Sequence, residues 1–439
     1  MKVGRYDRGR MADTINFTAG PIDVVPDTTG IDLDALDYVG GTTYLGGSYG
    51  REAMWKKFRE DRPIAFLPET DIPGFPPGPG FWSLTKFDDV MHVSRHPELF
   101  QSGKGTNIPD LPIEIAEFMG SIINMDAPKH TRTRLIVNRA FTPRMVAKID
   151  DDVRVRARRI IGRIANRGTI DVVRDLAGPL PLEIICDMMG IPEDKWERIF
   201  ECTNIILGDF DTTGSFDVLM GAVLEMAAIA QAVGEDRLAN PQDDLVSAIM
   251  AAEVDGHRLE PSEMASFFIL LSAAGNETTR NAISHGLHLF TTHPEQRAIL
   301  MADFDNVIPT AVEEIVRYAT PVVHFRRTAT EDTRIGDTEI AAGDKVVMWY
   351  ESANRDESHF ENPYTFDVRR TPNEHVGFGA GGPHFCLGAN LARREIRVMF
   401  EELFRALPDI AVSSEPTYLM NPFINGITKM NATFTPVSP

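Results

Sequence analysis

A glycine-rich segment around one cysteine is the feature that most constrains what this chain can fold into. Residues 375–393 read HVGFGAGGPHFCLGANLAR, with five glycines among the twelve residues 377–388 and Cys386 between them. Glycine adopts backbone angles that other residues avoid and leaves amide groups uncovered. The following text, ANLARREIRVMFEELF, favours a helix, and a helix beginning at the cysteine would place a positive dipole end beside the sulfur. The segment therefore predicts a thiolate held where backbone can approach closely.

Other kinds of site also fit glycines around a cysteine. A buried cysteine in a turn that caps a helix explains them equally well. A phosphate-binding loop is a weaker alternative, because no strand leads directly into the segment and no Lys-Ser/Thr pair follows it. A zinc or redox-thiol site would need further ligands near His384 and Cys386, and the chain has three cysteines in all.

Charge and composition exclude several broad classes of protein. The 439 residues carry 44 Lys and Arg against 64 Asp and Glu, a formal net charge of −20, which argues against a nucleic-acid binder or a polybasic membrane anchor. The hydrophobic share of 43% is typical of a globular protein. We find no apolar run of signal-peptide or membrane-spanning length, so we expect a cytoplasmic protein without a membrane span.

The pattern along the chain predicts a mainly α fold with a minor β region. Residues 1–30 are expected to form a flexible arm, and 31–439 a single domain, because no internal repeat or Gly/Ser linker divides them. Two extended runs, 63–67 and 80–84, flank the Pro/Gly-rich text IPGFPPGPG and predict a β-ribbon. Residues 132–290 appear mostly helical, and short strands follow Pro321.

A polar break in a long apolar helix is the second unusual feature. The helix is predicted to open at Pro261 and to run to about Thr292; its first half, MASFFILLSAAG, is apolar nearly all round. The run NETT (276–279) follows directly. An acid and a hydroxyl in the middle of such a helix are costly unless they are satisfied or used. The alternative is that Glu277 simply faces solvent.

The text from Phe378 to Gly388 resembles the haem-ligand loop of the cytochrome P-450 superfamily, in which the cysteine thiolate is the proximal iron ligand. Eight steps separate Phe378 from Cys386 where the common pattern has seven. This longer loop is similar to that of a bacterial subgroup that hydroxylates methyl-branched lipids, isoprenoids and sterol side chains. The resemblance implies a single-domain cytochrome P-450 fold, a triangular prism with haem b between a long central helix and the Cys386 loop.

The run AGNETT (274–279) resembles the oxygen-activation motif of the same superfamily. In that role Gly275 lets the helix kink open, Thr278 hydrogen-bonds dioxygen and Glu277 relays protons from solvent. The family's other contacts with haem fall on Phe378 and Gly388 in the loop and on cations for the two propionates. Those cations are His130, Arg134, Arg327 and His384. Alternatively, each of these side chains could be an ordinary charged group that faces solvent.

Two further sets of residues follow from the resemblance. Glu314 and Arg317, spaced i, i+3, with Arg370 downstream, are implied to form a buried network that locks the cysteine loop; by themselves the first two could be a surface pair. The substrate channel is implied to be lined by four small or apolar residues and by the stretches 104–123 and 200–220, and plain core packing is the alternative. The four are Ala274, Val322, Phe423 and Ile424.

The implied activity is that of a haem-thiolate monooxygenase that uses O2 and NAD(P)H electrons, delivered by a ferredoxin reductase and a ferredoxin of the 2Fe-2S or 3Fe-4S type. The implied substrate is an apolar aliphatic molecule, hydroxylated at a terminal methyl. We expect an acidic ferredoxin to dock on the cations Lys129, Arg132, Arg394 and Arg397. A haem-thiolate peroxygenase and a non-catalytic haem-binding protein are the alternatives; the Glu277-Thr278 pair argues against the first.

Overall fold

The chain is mainly α-helical with small β-sheets, as the sequence predicts. The computed structural model describes residues 23–36, 47–69, 78–140, 143–208, 216–254 and 256–437. Residues 1–22 of the predicted arm and 70–77 of the Pro/Gly-rich text lie outside these ranges.

The helices are numbered in chain order. They are α1 (Gly47–Asp61), α2 (Phe87–Arg95), α3 (Ile113–Gly120), α4 (Lys129–Ala140), α5 (Pro143–Ile164), α6 (Pro179–Met188), α7 (Trp196–Ile206), α8 (Phe216–Ala239), α9 (Leu245–Ala251), α10 (Pro261–Thr292), α11 (Pro294–Ala302), α12 (Phe304–Ala319), α13 (Tyr350–Ala353) and α14 (Ala389–Ala406).

The strands form four small sheets. They are β1 (Ile64–Leu67), β2 (Phe81–Leu84), β3 (Phe100–Gln101), β4 (Thr169–Asp171), β5 (His324–Ala329), β6 (Thr333–Ile335), β7 (Thr338–Ile340), β8 (Lys345–Trp349), β9 (Ala411–Val412), β10 (Thr417–Tyr418), β11 (Ile427–Lys429) and β12 (Asn431–Thr433). The largest sheet has the order β1-β2-β8-β5-β3, and the others are β4-β12-β9, β10-β11 and β6-β7. The antiparallel β1-β2 pair, with Ile64 opposite Leu84, confirms the predicted ribbon.

Helix α10 is the centre of the molecule and has the predicted bounds. Its 32 residues begin at Pro261, and a capping box between Glu260 and Glu263 satisfies the first amides. At about 1.5 Å per residue the helix is about 48 Å long. It packs against α6, α8, α12 and α14, and residues on all its sides are buried. A polar group in its middle therefore lies inside the protein.

Helix α8 has the length and composition of a membrane span, although the sequence analysis found none. Within the described residues it is the single helix that passes this test, over Asp217–Ala239, and 33% of its most apolar window is buried. Length and composition alone do not separate a membrane span from a helix packed inside a protein. Helix α8 packs against α7, α9 and α10.

Candidate functional site

The loop that carries Cys386 is a tight turn built by its glycines. The Cys386 amide donates to the Phe378 carbonyl over 2.9 Å. Gly379, Gly381 and Gly382 have φ values of 98°, 78° and 76°, a region that favours glycine. A Cβ at Gly382 would lie 2.2 Å from the carbonyl oxygen of Ser94 at the end of α2, so no larger residue fits there.

Helix α14 begins later than the sequence suggested. Its first residue is Ala389, three residues after Cys386, and Gly388 is the N-cap residue. The amide of Gly388 is hydrogen-bonded to Cys386 and lowers the pKa of its thiol. A Cβ at Gly388 would meet no atom within 4 Å, so space remains beside this turn. The predicted helix start was wrong because the residues after the cysteine turn an amide toward sulfur before they enter the helix.

Cys386 faces an internal space. Its side chain is accessible to a water-sized probe, yet burial among protein atoms raises the pKa of its thiol, against the lowering effects of the Gly388 amide, Arg134 and Arg393. A group that is both accessible and surrounded by protein lines a cavity. The other two cysteines, Cys186 and Cys202, are fully buried.

One face of α10 is accessible in the same way. Leu271, Ala274, Gly275 and Thr278 are partly accessible, whereas the neighbouring positions of the helix are mostly buried. Their spacing of three and four residues places them on one side. A strip of accessible residues on a helix inside the core also lines a cavity. Helix α10 packs directly on α14, the helix that continues the Cys386 loop.

The polar run on α10 is buried and paired, so the alternative of a solvent-facing Glu277 is wrong. Glu277 is 1% exposed and forms an ion pair with Arg280. Its Oε1 accepts a hydrogen bond of 3.0 Å from Asn281. The Thr278 hydroxyl donates to the Ala274 carbonyl over 2.8 Å, within the helix.

Gly275 has a structural reason besides the predicted one. Helix α10 is assigned without a break through this position, and the predicted opening of the helix at Gly275 stays a prediction. A Cβ at Gly275 would lie 2.7 Å from Ile185 Cδ1 on α6. The glycine therefore allows α6 and α10 to approach closely.

The four predicted propionate ligands gather near the cysteine loop. The rings of His130 and His384 are 4.3 Å apart, and Arg134 donates to the carbonyls of Pro383 and Phe385 over 2.8 and 2.6 Å. Arg327 is 4% exposed and donates to the Arg326 carbonyl, and within the described residues its guanidinium forms no ion pair.

The histidines and the arginines of this cluster differ in how readily they carry a positive charge. Burial, with Arg327, His130 and Arg134, lowers the pKa of His384 to about 2, and burial with Arg134 also lowers the pKa of His130. Burial and the neighbouring arginines thus disfavour protonation of both imidazoles, whereas Arg134 and Arg327 supply guanidinium groups. His130 Nε2 is buried without a hydrogen-bond partner. Two arginines and an orphaned imidazole nitrogen fit carboxylates of a bound group, such as the propionates of haem.

Two neighbours of this cluster were not anticipated. Ser102 Oγ lies 3.1 Å from His384 Nε2, and Tyr350 lies close enough to Arg327 that each affects the pKa of the other. Nothing in the sequence near either residue indicates this, because both are brought in by the β-sheet.

The residues Glu314, Arg317 and Arg370 meet in one buried network. Arg317 donates to both carboxylate oxygens of Glu314 over 2.7 and 2.8 Å, and Arg370 Nε donates to both over 3.1 Å. Arg317 also donates to the carbonyls of Asn354 and Pro363. Burial alone would raise the pKa of Glu314, but these arginines hold that pKa below its usual value. The polar loop 351–372 is thus fastened to α12.

The predicted substrate-lining residues divide into two groups. Ala274, Val322 and Phe423 are partly accessible, as cavity-lining residues should be. Ile424 is 1% exposed and pairs through its backbone with Val322, so its side chain belongs to the packed interior. Phe325 was missed by the sequence analysis: it is partly accessible, and its ring lies 5.2 Å from that of Phe423. Residues 209–215 of the predicted lining lie outside the described ranges.

The predicted docking cations already have acidic neighbours. Lys129 and Arg132 lie 3.8 and 3.4 Å from Glu263, and Arg397 lies 3.8 Å from Asp305. These three side chains are between 33% and 41% exposed, and pairs of this kind are weak. These cations are thus partly exposed and partly engaged within the protein.

Comparison with known proteins gives consistent matches. Residues 216–408 match the family model described as Cytochrome P450. The chain is 50% identical to a methyl-branched lipid omega-hydroxylase of Mycobacterium tuberculosis, over 97% of this chain and 99% of that protein. It is 40% identical to a steroid C26-monooxygenase of Rhodococcus jostii, over 89% of this chain and 84% of that one. A solved Mycobacterium marinum cytochrome P450 in complex with pseudoionone aligns with a TM-score of 0.85 and 41% identity, over 92% of this chain and all of that one.

Proposed function

This chain belongs to the cytochrome P450 family, and from that premise we propose that it hydroxylates a terminal methyl group of a methyl-branched aliphatic substrate, with haem held by Cys386. Membership of the family makes the chain a haem-dependent monooxygenase that uses O2 and electrons derived from NAD(P)H. The choice of Cys386, the proton-relay residues and the substrate class are the parts that we propose.

The observation that carries the proposal is that Cys386, although burial raises the pKa of its thiol, has a backbone amide and two arginines near its sulfur. The Gly388 amide, Arg134 and Arg393 each favour the thiolate. Arg134 and Arg327, with the orphaned Nε2 of His130, supply positive charge and a hydrogen-bonding nitrogen for two propionates. A thiolate for the iron and guanidinium groups for the propionates together match the donor set that haem requires. When bound, haem supplies the activation of O2 and the insertion of one oxygen atom into a C–H bond.

The residues of α10 supply protons and exclude water. Thr278 lies on the accessible face of the helix with its hydroxyl bonded to the Ala274 carbonyl, and the buried carboxylate of Glu277 belongs to the residue before it. We assign to Glu277 the transfer of protons toward Thr278. The apolar neighbours Leu271 and Ala274 keep bulk water from this face, so that protons arrive through defined groups.

Apolar lining supports an aliphatic substrate. Ala274, Val322, Phe325 and Phe423 offer small or aromatic surfaces and no charge. A terminal methyl has a stronger C–H bond than the interior of a chain, so hydroxylation there requires a narrow channel that admits the chain end first. The similarity to an omega-hydroxylase of methyl-branched lipids favours this class over a rigid steroid nucleus.

The absorption spectrum of the reduced protein with carbon monoxide tests the ligand. We expect the red-shifted band of a thiolate-ligated haem in the native protein and in Cys186→Ser, which changes a buried cysteine elsewhere. The Cys386→His variant should lose that band while still binding haem. A retained band in Cys386→His would overturn the assignment.

Substrate-induced changes of spin state test the substrate class. The probes are a methyl-branched fatty acid, its straight-chain isomer and cholest-4-en-3-one, each followed by product analysis with NADPH, a ferredoxin and its reductase. We expect the tightest binding and a terminal alcohol with the branched acid. Preference for the sterol, or hydroxylation within the chain, would contradict the proposed class.

We also propose that the electron donor is an acidic ferredoxin that docks near Lys129, Arg132, Arg394 and Arg397. The double charge-reversal variant Arg132→Glu/Arg397→Glu should be reduced by the ferredoxin several-fold more slowly than the native protein at low salt. Added salt should narrow this difference in rate. Unchanged, salt-insensitive reduction would count against this surface. Product formation that needs peroxide and no ferredoxin would instead indicate a peroxygenase, and haem binding without turnover a carrier.

A further inference from the structure

A line of polar side chains links Glu277 on α10 to helix α7. The ion pair of Glu277 with Arg280 is the first step. Arg280 Nη1 then donates a hydrogen bond of 2.7 Å to Asn204 Oδ1 on α7. The guanidinium also lies over the ring of Phe200, 5.5 Å from its centre. A residue of α7 therefore touches the acid of α10 through one intermediate side chain.

The carboxylate of Glu277 is held from two directions. Asn281 donates to Oε1, and its own Oδ1 accepts from the Ile427 amide over 3.2 Å, which ties this side to β11. Arg280 meets Oε2, and Asn204 ties that side to α7. The orientation of the carboxylate thus depends on both β11 and α7.

The stem of Arg280 packs closely at the start of α6. Its Cδ lies 3.4 Å from the position of a Cβ at Gly178, so a glycine at the start of α6 accommodates its stem. Its Nε is buried without a hydrogen-bond partner. Apart from Glu277, Asn204 is the hydrogen-bond partner that the described residues offer this guanidinium, so the bond to Asn204 helps to set where the guanidinium lies over Phe200.

Burial decreases along the line from the site outward. Glu277 is 1% exposed, Arg280 is 6% exposed and Asn204 is half-buried. Two buried polar atoms on this stretch of α10, Asn276 Oδ1 and Arg280 Nε, have no hydrogen-bond partner among the described residues. Such atoms in protein interiors commonly bind internal water, which is also what a proton path needs.

We propose that Asn204 is a positioning residue for Glu277, acting through Arg280, so that the docking of α7 sets the orientation of the carboxylate that delivers protons. The role of Glu277 rests on the proposed function. When α7 is docked, Asn204 holds Arg280 against Glu277. When that bond is removed, the guanidinium and the carboxylate lose their common orientation, and protons arrive less efficiently.

A double-mutant cycle tests the link without any measurement of turnover. Asn204 and Glu277 are joined only by Arg280 in the contacts described above, so Asn204→Ala and Glu277→Gln should not act independently. In urea unfolding of the haem-loaded protein, we expect their combined effect on the unfolding constant to be at least threefold smaller than the product of the separate effects. Arg198→Ala, an exposed substitution on α7, is the control. Its effect on the unfolding constant should simply multiply with that of Glu277→Gln, as expected for independent sites. Independent effects of Asn204→Ala would overturn the proposal.

The yield of product per NADPH consumed tests the consequence for proton supply. In Asn204→Ala this yield should fall at least threefold at saturating substrate, with a matching rise in hydrogen peroxide. Asn204→Asp keeps an oxygen acceptor for Arg280 and should restore it, whereas Arg198→Ala should match the native protein. An Asp variant as poor as the Ala variant would show a general packing defect and would contradict the assigned role.

The two proposals fail in different ways. If the native protein shows no thiolate band and no product, the proposed function is wrong. If the native protein turns over normally and Asn204→Ala does so with the same yield, only the role of Asn204 is wrong.

Discussion

Arg134 Nη2 donates a hydrogen bond of 2.6 Å to the carbonyl of Phe385, the residue immediately before Cys386. Its Nη1 donates to the carbonyl of Pro383 over 2.8 Å. Helix α4 therefore holds the backbone of the cysteine loop directly. A propionate ligand at this position would share the same guanidinium, so one side chain would fix both the loop and the haem.

Replacing Arg134 with lysine should weaken haem binding about tenfold, the lower end of the range for second-shell ligands of a metal site. Lysine keeps the charge but cannot donate two directed bonds from one plane. The measurement is the rate of haem transfer to an excess of apomyoglobin. Arg132→Lys, two residues earlier on the same helix and paired with Glu263, is the matched control and should transfer haem at the native rate. Equal rates for the two variants would contradict the role of Arg134.

Glu314 is the centre of the network beneath the 351–372 loop, and it is fully buried. Glu314→Gln leaves the buried Arg317 and the partly buried Arg370 without their anion, which costs about 3–5 kcal/mol of unfolding free energy. Urea unfolding with a tryptophan-fluorescence readout measures it. Glu339→Gln, which removes an 86% exposed carboxylate 4.0 Å from Arg334, should change stability by less than about 0.5 kcal/mol. A similar small effect at Glu314 would show that the network does not hold the loop.

Local sequence signals predicted α10 well, because Pro261 marks its start and the apolar run 264–275 follows, and the structure adds a capping box between Glu260 and Glu263. They placed the start of α14 at the cysteine, where the structure has Ala389. Helix propensity cannot show that the Gly388 amide turns to sulfur, since that bond forms only when the loop is folded.

The protonation states of side chains were harder to predict from the sequence than the helices were. His130 and His384 were expected as cations toward the propionates, and burial together with the arginines lowers the pKa of both, which works against that charge. Burial depends on the whole fold and leaves no local pattern. The pairing of Glu277 with Arg280, spaced i, i+3, was visible in the text NETTR, whereas the link to Asn204 needed the packing of α7 on α10.

Glu313 should make stability depend on pH in acid. Although burial alone would raise it, His375 and Arg393 lower the pKa of this carboxyl to about 2, and Arg393 also lies over Phe378. A lowered pKa stabilises the fold above the unfolded value near 4.5, and this stability is lost as pH falls toward 2. Glu313→Gln should therefore be about 1–2 kcal/mol less stable at pH 7, with the difference shrinking below pH 4.5. Urea unfolding from pH 3 to 7 checks it, and a pH-independent difference would contradict it.

Glu395 on α14 should make stability depend on pH in the direction opposite to Glu313. Burial raises the pKa of this carboxyl to about 8, against a hydrogen bond with Thr279 on α10. The folded protein then keeps a proton that the unfolded chain releases above pH 4.5, so stability falls as pH rises from 4.5 toward 8. Glu395→Gln removes this loss and should stabilise the protein by roughly 2–4 kcal/mol at pH 8 and very little at pH 4.5. Urea unfolding at the two pH values measures the gain, and a gain of equal size at both would show that the carboxyl is ionised in the fold.

Two helical glycines should respond oppositely to the same substitution. A Cβ at Gly275 would lie 2.7 Å from Ile185 Cδ1, so Gly275→Ala forces α6 and α10 apart and should cost about 1–3 kcal/mol. A Cβ at Gly221 on α8 would meet nothing within 4 Å, so Gly221→Ala should gain about 0.5–1 kcal/mol from helix propensity. Adding Ile185→Val removes the methyl that clashes and should recover part of the loss in Gly275→Ala. Thermal unfolding of the four variants, with Ile185→Val alone as reference, measures these changes. If Gly275→Ala is as stable as Gly221→Ala, the close approach of α6 to α10 does not require a glycine.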